Sequence, residues 1–482
     1  MKKLFLSNLI FLVLINLLVK PFYIFVVEVG VQNEVGPAEY GMFFSLFNFC
    51  YLFQIISDLG INNYNNTSIA KDNNFIDQHL SKLLGLKIVL ALLFFCAICL
   101  VAFWVDYPDD YYPLLWLIAI NQILVSFILY FRTNISGLGF YKWDSLISIL
   151  DKLLLISILG YLLWIHSDDA HQFQISWFVY AQMGSLLLTL LFVIFSLVSI
   201  TGSKAFTLAP TFDISTLKKS LPFAFVILIM SAYSRIDSVM LERMLPDGKQ
   251  EAGIYAASYR ILDALNIIGF LFAGLLLPMF SKLIADRKDT LPVLILSLQL
   301  LMAIAIPVAL YSSYFSEQLM MVLYPDHATD DYSMILKLLT WGFIGIATTH
   351  IFGTLLTANH SLKKMNFLFT IGLILNVLLN WYFIPEYKAL AAAATTFVTE
   401  IFVSVGLVFI VLREFKYKAE LRPILSLLIY GLVLFGFYYS AASFLGLDWF
   451  VSLILGIIVS FVVSLLLNII DIRVLKAILT DR

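Results

Sequence analysis

Residues 221–285 read LPFAFVILIMSAYSRIDSVMLERMLPDGKQEAGIYAASYRILDALNIIGFLFAGLLLPMFSKLIA, and this stretch decides the fold. Two apolar runs, 221–241 and 254–277, flank a short polar loop. Each run reaches the roughly 20 residues that a membrane-spanning helix needs. Four charges interrupt them: Arg235, Asp237, Arg260 and Asp263. A charge at the bilayer centre costs about 2.5–3.5 kcal/mol on insertion scales, so such residues persist where they meet a wet cavity or a partner. Arg260 and Asp263 are spaced i,i+3 and share one helix face. They are either a self-neutralising pair that fixes packing or part of a polar cavity wall. Arg235 and Asp237 are two apart, point to different faces and do not simply pair.

The rest of the chain is of the same kind. Of 482 residues, 61% are hydrophobic and 13% charged, with mean hydropathy +0.94. Soluble domains are about 45–50% apolar and about 25% charged, so an all-α polytopic membrane protein is expected. The net charge of −2 carries little information. Cys50, Cys96 and Cys99 all lie in apolar runs. Cys96 and Cys99 have CxxC form without a second pair or a nearby histidine, and read as packing residues. There is no Gly-x-x-x-x-Gly-Lys-Ser/Thr loop, no His-Glu-x-x-His and no Gly-x-Ser-x-Gly, so neither ATP hydrolysis nor those hydrolase chemistries are expected. No cofactor, metal or nucleic-acid partner is expected.

Fourteen spanning helices are predicted, at 4–27, 40–61, 83–105, 113–131, 146–165, 175–200, 221–241, 254–277, 292–313, 334–357, 366–384, 389–412, 424–445 and 449–470. The first run is too long for a signal-peptide core and lacks a small-residue cleavage site, so it is expected to be retained. Basic residues fall on alternate connections. Twenty-three of the 30, counting those at helix edges such as Lys87, Arg132 and Lys152, lie on one side, which predicts that both termini are cytoplasmic. The opposite connections carry Glu28, Glu34, Glu39, Asp106, Asp109 and Asp110. The longest of these is expected at 314–333. The Asn-rich stretch from Asn62 to Asn66 is expected to be a solvated or interfacial loop, and His166, Asp168, Asp169 and His171 a solvated polar cluster.

An offset of 215 residues places the first two predicted helices on the seventh and eighth without a gap. Tyr40 falls on Tyr255, Ile69 on Ile284 and Ala70 on Ala285. Lys20 falls on Arg235, and Asn48 on Asp263. Six helices separate the copies, which makes a parallel repeat about an axis along the membrane normal. The expected organisation is an N-lobe at 1–200, a cytoplasmic linker at 201–220, a C-lobe at 221–412, and two further helices with a tail at 413–482.

Lys20, Arg235 and Arg260 each sit about six or seven residues from one end of a predicted helix, roughly 10 Å below the same surface. They form a cationic ring at one depth or snorkel to the interface. Glu400, mid-helix, is a coupling carboxylate or a partner for a cation. His350 is a packing residue or a proton relay.

Two stretches carry a resemblance. One runs from Gly36-Pro37-Ala38-Glu39-Tyr40-Gly41 to Ile56-Ser57-Asp58-Leu59-Gly60-Ile61. The other is Ala252-Gly253-Ile254-Tyr255-Ala256-Ala257-Ser258-Tyr259-Arg260-Ile261, with Pro278-Met279-Phe280-Ser281 closing the helix. Together with the six-plus-six repeat and the appended pair, they resemble the multidrug/oligosaccharidyl-lipid/polysaccharide flippase superfamily, in its polysaccharide-export branch. The resemblance implies a Wzx-type flippase of the bacterial cytoplasmic (inner) membrane. Such a protein moves undecaprenyl-pyrophosphate-linked oligosaccharides by alternating access, for O-antigen and lipopolysaccharide, capsule or exopolysaccharide. It implies that predicted helices 1, 2, 7 and 8 line a cavity between the lobes, with substrate at Lys20, Arg235, Arg260, Asp263 and Asn48, and coupling at Asp237, Glu400 or His350. The implied partners are the lipid-linked substrate, membrane lipids, and a polysaccharide polymerase with chain-length machinery; a monomer suffices. The rivals are a cation-coupled drug exporter, a lipid II flippase, and, from another class, a membrane polymerase or ligase. An exporter of lipophilic cations is disfavoured because the N-lobe offers Lys20 and no intramembrane acid. A polymerase or ligase is disfavoured by the short acidic outer loops.

Overall fold

The protein is described by a computed structural model over residues 15–71, 75–164, 173–202, 214–418 and 421–470. Residues 4–14 of the first predicted helix, the polar cluster at 166–171 and residues 203–213 of the linker lie outside the described residues. So do Lys2, Lys3, Lys204, Arg473, Lys476 and Arg482.

The described residues are almost wholly helical. In chain order the helices are α1 (Ile15–Ser57), α2 (Ile61–Lys71), α3 (Phe75–Trp104), α4 (Tyr112–Gly137), α5 (Tyr141–Trp164), α6 (Ile175–Thr201) and α7 (Ile214–Met244). They continue with α8 (Gly248–Ala285), α9 (Leu291–Leu323), α10 (Asp330–Ala358), α11 (Leu362–Glu414), α12 (Leu421–Ser443) and α13 (Trp449–Leu466). Eleven of them are long and apolar enough to cross a membrane. Two are double length. The 43 residues of α1 and the 53 of α11 would run about 65 and 80 Å if straight, against about 30 Å of hydrocarbon. Both are broken. Gly36 takes φ 76°, ψ 167° in α1, a conformation open to a residue without Cβ, and Pro37 restarts the helix. Lys388 takes φ 51°, ψ −132° in α11, just past Pro385. Every predicted spanning stretch falls on helix over most of its described residues; the exceptions are at stretch ends, at 58–60, 105, 444–445 and 467–470.

Three expected connections are corrected. Residues 28–39 are helical except at Gly36, and Glu28 is buried rather than solvated. Helix α9 continues to Leu323, so the 314–333 connection shrinks to a short turn before α10. The Asn-rich stretch is helix α2. Asp58 starts it by accepting the Gly60 and Asn62 backbone N–H groups. Ile61, Asn65 and Ile69 fall four apart on its buried face. Asn65 donates to Thr133 Oγ1 and Asn134 Oδ1 on α4, both at 3.1 Å. A buried amide with partners costs little, so a polar sequence here is compatible with burial.

Packing divides the chain into two compact units, residues 1–253 and 254–482, with the boundary inside α8. Helix α7 belongs to the first because it packs along the second half of α1, where Asn48 Nδ2 donates to Ser238 Oγ (2.8 Å). In the second unit, α10 packs between α9 and α11, and α12 and α13 both pack on α9. Tyr430 and Tyr311 donate to the carbonyls of Ala303 and Trp449 (2.9 and 3.2 Å).

Candidate functional site

The first unit contains a cavity of about 300 Å³ enclosed by α1, α4, α5 and α6. Helix α1 contributes Lys20 from before its break and Phe47, Tyr51 and Gln54 from after it. Helix α4 contributes Asn121, Gln122, Val125, Leu129 and Arg132, a spacing that keeps them along one face. Helix α5 adds Ser148, Asp151 and Lys152, and α6 adds Gln182 and Ser185.

Three cations and one carboxylate therefore line a space among membrane-spanning helices. Lys152 Nζ is 3.3 Å from Asp151 Oδ2 and 4.7 Å from the centre of the Tyr23 ring. Arg132 Nε donates to Asp144 Oδ1 at 2.8 Å, which holds the guanidinium from outside the lining. Lys20 is half-buried. Neutral polar side chains share the remaining wall with apolar ones, among them Ile128, Ile147, Leu155 and Leu186, and the apolar groups give most of its surface. Asn121 Nδ2 donates to the Val179 carbonyl of α6 (3.1 Å).

Of the residues singled out in the sequence, Lys20 lines this cavity. Arg235 lies behind it, with its guanidinium carbon 5.4 Å from the centre of the Tyr51 ring. Asn48 is engaged with Ser238, and Asp237 is 1% exposed on α7. Arg260, Asp263, His350 and Glu400 belong to the second unit. There Arg260 Nη1 and Asp263 Oδ2 form an ion pair at 3.2 Å along α8. His350 packs edge-on against Phe270, with centroids 4.8 Å apart, in the space left by Gly269. Glu400 is buried on α11, its backbone against Gly345. This cavity lies within the first unit and is not the one expected between the lobes; α1 shares its wall with α4, α5 and α6, which supply most of it. Predicted helix 7 reaches it through the Arg235–Tyr51 contact.

The sequence reading missed Arg132, Asp151 and Lys152. The signal was present, since the helix predicted at 146–165 already enclosed a carboxylate and an ammonium in an apolar run. By its place in the sequence Lys152 reads as a connection residue, yet it is eleven residues into α5, about 16 Å along its axis. The expectation that the N-lobe holds no intramembrane acid is overturned by Asp151, which lies within the span Tyr141–Trp164.

A cavity bearing charges within a bundle of helices long and apolar enough to cross a membrane defines a multi-pass, all-α membrane protein. Solved structures share this fold. The inward closed form of the lipid II flippase MurJ superposes with a TM-score of 0.64 at 16% identity, covering 98% of this chain and 99% of that one. An inward-facing multidrug resistance MATE family transporter of the MOP superfamily gives 0.60 at 13% identity over 81% of this chain and 94% of that one. An outward-facing form gives 0.58 at 13% over 84% and 95%. No curated protein sequence matches the chain. Residues 5–284 match the family model for polysaccharide biosynthesis proteins, and the chain belongs to that family.

Proposed function

We propose that the protein is a Wzx-type flippase of the bacterial cytoplasmic membrane. It carries undecaprenyl-pyrophosphate-linked oligosaccharides from the cytoplasmic to the opposite leaflet by alternating access, for surface-polysaccharide assembly. It acts without covalent chemistry, as a monomer, with both termini cytoplasmic, and hands its cargo to a polysaccharide polymerase and its chain-length machinery. The observation that carries this reading is the cavity lined by Lys20, Arg132 and Lys152, in which cations still outnumber carboxylates once Asp151 and Asp144, the partner of Arg132, are both counted. A pyrophosphate entering hydrocarbon needs compensating cations, because an unpaired buried charge is expensive. Guanidinium and ammonium groups meet phosphate oxygens with charge-assisted hydrogen bonds, the former bidentately. A lipophilic drug cation would meet repulsion at the same wall, which argues against drug export. Membership of the polysaccharide biosynthesis family supports the same substrate class.

The likeness to MurJ over nearly the whole chain favours one second reading, transport of lipid II, whose pyrophosphate would suit the same cations. One experiment separates the readings. Proteoliposomes loaded with undecaprenyl-pyrophosphate-linked oligosaccharide or with lipid II are probed with an impermeant sugar oxidant. Protein-dependent loss of protection for the oligosaccharide lipid supports the proposal. Movement of lipid II alone replaces it with the second reading, and movement of neither overturns transport of this class.

A further inference from the structure

The cavity wall carries more than cations. The side-chain amides of Gln54, Gln122 and Gln182 all line it, and none makes a hydrogen bond to any described residue. Gln122 is 5% exposed, as is Asn121, whose Nδ2 is bonded to Val179 while its Oδ1 accepts nothing within the protein. Of these atoms Asn121 Oδ1 is the fully buried one, and an unsatisfied buried acceptor is costly; the three glutamine amides face the open cavity with their hydrogen-bonding capacity unused by the protein. Four amides converging on one space therefore point to a ligand that supplies the missing partners.

The chemistry of the groups says which ligand. Phosphate oxygens only accept, so they match Lys20, Arg132 and Lys152 but leave amide carbonyls unserved. An Asn or Gln amide both donates and accepts. Sugar hydroxyls do the same. Phe47 and Tyr51 stand on the same wall with nearly parallel rings, centroids 6.3 Å apart and planes 25° from parallel. Such rings give an apolar surface of defined shape, and the Tyr hydroxyl a polar tip. Arg235 sits over the Tyr51 ring. Gln122 and Arg132 lie ten residues apart on α4, about 15 Å along its axis, room for a charged group and an attached ring to bind in sequence.

Building on the proposed function, we infer that Gln122, Gln182, Gln54 and Asn121, with Phe47 and Tyr51, form a carbohydrate subsite that reads the sugar next to the pyrophosphate. The cations hold the carrier common to every such substrate, and the amide–aromatic wall holds what distinguishes one from another.

The test uses the full-length protein in nanodiscs and measures binding by native mass spectrometry. The probes are undecaprenyl pyrophosphate without sugar and the same lipid bearing one hexose, one N-acetylhexosamine or one deoxyhexose. At least one glycolipid is expected to bind about tenfold or more tighter than the bare carrier. Gln122→Met combined with Gln182→Met should abolish that increment and leave bare-carrier affinity unchanged. Gln182→Met alone, at the less buried position, should remove part of it, and unfolding temperatures certify both variants. A glycolipid no tighter than bare carrier, or an increment that survives in the double variant, overturns the subsite while the flippase reading stands. Failure of the wild-type protein to bind any of these lipids overturns both.

Discussion

Lys87 Nζ lies 2.9 Å from Asp58 Oδ1 and 2.6 Å from Ser126 Oγ, with the lysine side chain 1% exposed. Ser126 in turn donates to the Ser57 carbonyl (3.2 Å). This network ties the end of α1 to α3 and α4. Asp58 also caps α2, so one carboxylate positions four helices.

The two partners are not equivalent, and the asymmetry predicts the outcome of removing each. Lys87→Met leaves Asp58 about a fifth exposed and still bonded to two backbone N–H groups. It should cost about 1.5–3 kcal/mol, the range for a charged hydrogen bond. Asp58→Asn leaves an ammonium almost wholly buried without its counter-charge and should cost more, about 3–5 kcal/mol. Thermal unfolding in one detergent ranks them, and the double variant should resemble Lys87→Met. Equal losses in the two single variants would contradict the burial argument.

Lys87 also shows where sequence legibility ends. The apolar runs and their lengths made the helices readable, because in hydrocarbon every backbone group must be satisfied within the segment. Lys20 and Arg235 stood out for the same reason, as charges in long apolar runs. Lys87 and Lys152 are chemically no different, but each followed a basic connection closely enough to be counted with it. Their depth depends on where α3 and α5 begin. Gln54, Gln122 and Gln182 gave no signal at all, since a glutamine is cheap enough in a helix to need no explanation until three share one space. The reverse holds in α2, where the sequence around Asn65 reads as solvated because its partners on α4 are nearly seventy residues away.

Gly41 and Gly253 place the second half of α1 against the start of α8. A Cβ on Gly41 would fall 1.9 Å from the Lys249 carbonyl oxygen, and one on Gly253 would fall 1.9 Å from that of Pro37. Both obstacles are backbone, so neither yields by a rotamer change. Gln32 Nε2 bonds the Gly253 carbonyl at 2.9 Å across the same contact. Gly41→Ala or Gly253→Ala should force the helices apart and expose nearby Ser45, which is fully buried. In a protein with Cys50, Cys96 and Cys99 replaced by serine and Ser45→Cys added, maleimide labelling should accelerate about tenfold or more in either alanine variant, reporting roughly 1.4 kcal/mol of opening. Unchanged labelling would mean the contact is dispensable.

Lys20 and Lys152 supply cavity charges whose loss should weaken the hold on pyrophosphate. Each Gln replacement removes a charge-assisted hydrogen bond, about 1.5–3 kcal/mol. Flipping in proteoliposomes should therefore fall roughly 10–100-fold. Lys152→Gln should have a second effect, because Asp151 loses a cation 3.3 Å away. Adding Asp151→Asn should then recover protein yield without restoring transport. Recovery of transport in the double variant would mean that Lys152 serves only to neutralise Asp151.

Arg235 gives the last prediction. Its guanidinium stands over Tyr51, a residue of the cavity wall, and it is the counterpart of Lys20 at the 215-residue offset. A cation over an aromatic face contributes about 0.5–2 kcal/mol according to its desolvation, enough to hold the ring in one orientation. Arg235→Gln keeps bulk and hydrogen bonding but removes the charge. It should lose both the ring contact and the electrostatic attraction for an entering pyrophosphate. Export should drop at least tenfold while the protein remains inserted at normal abundance. Arg235→Lys keeps the charge without the planar fork and should retain part of the activity. Tyr51→Phe should be near neutral if the ring face is what matters, and Tyr51→Ala should be as defective as Arg235→Gln. The measurement is surface polysaccharide alongside membrane abundance of each variant. Normal polysaccharide in Arg235→Gln at normal abundance would remove Arg235 from the transport path. Low abundance restored by Asp237→Asn would make it a structural counter-charge for the buried carboxylate two residues away.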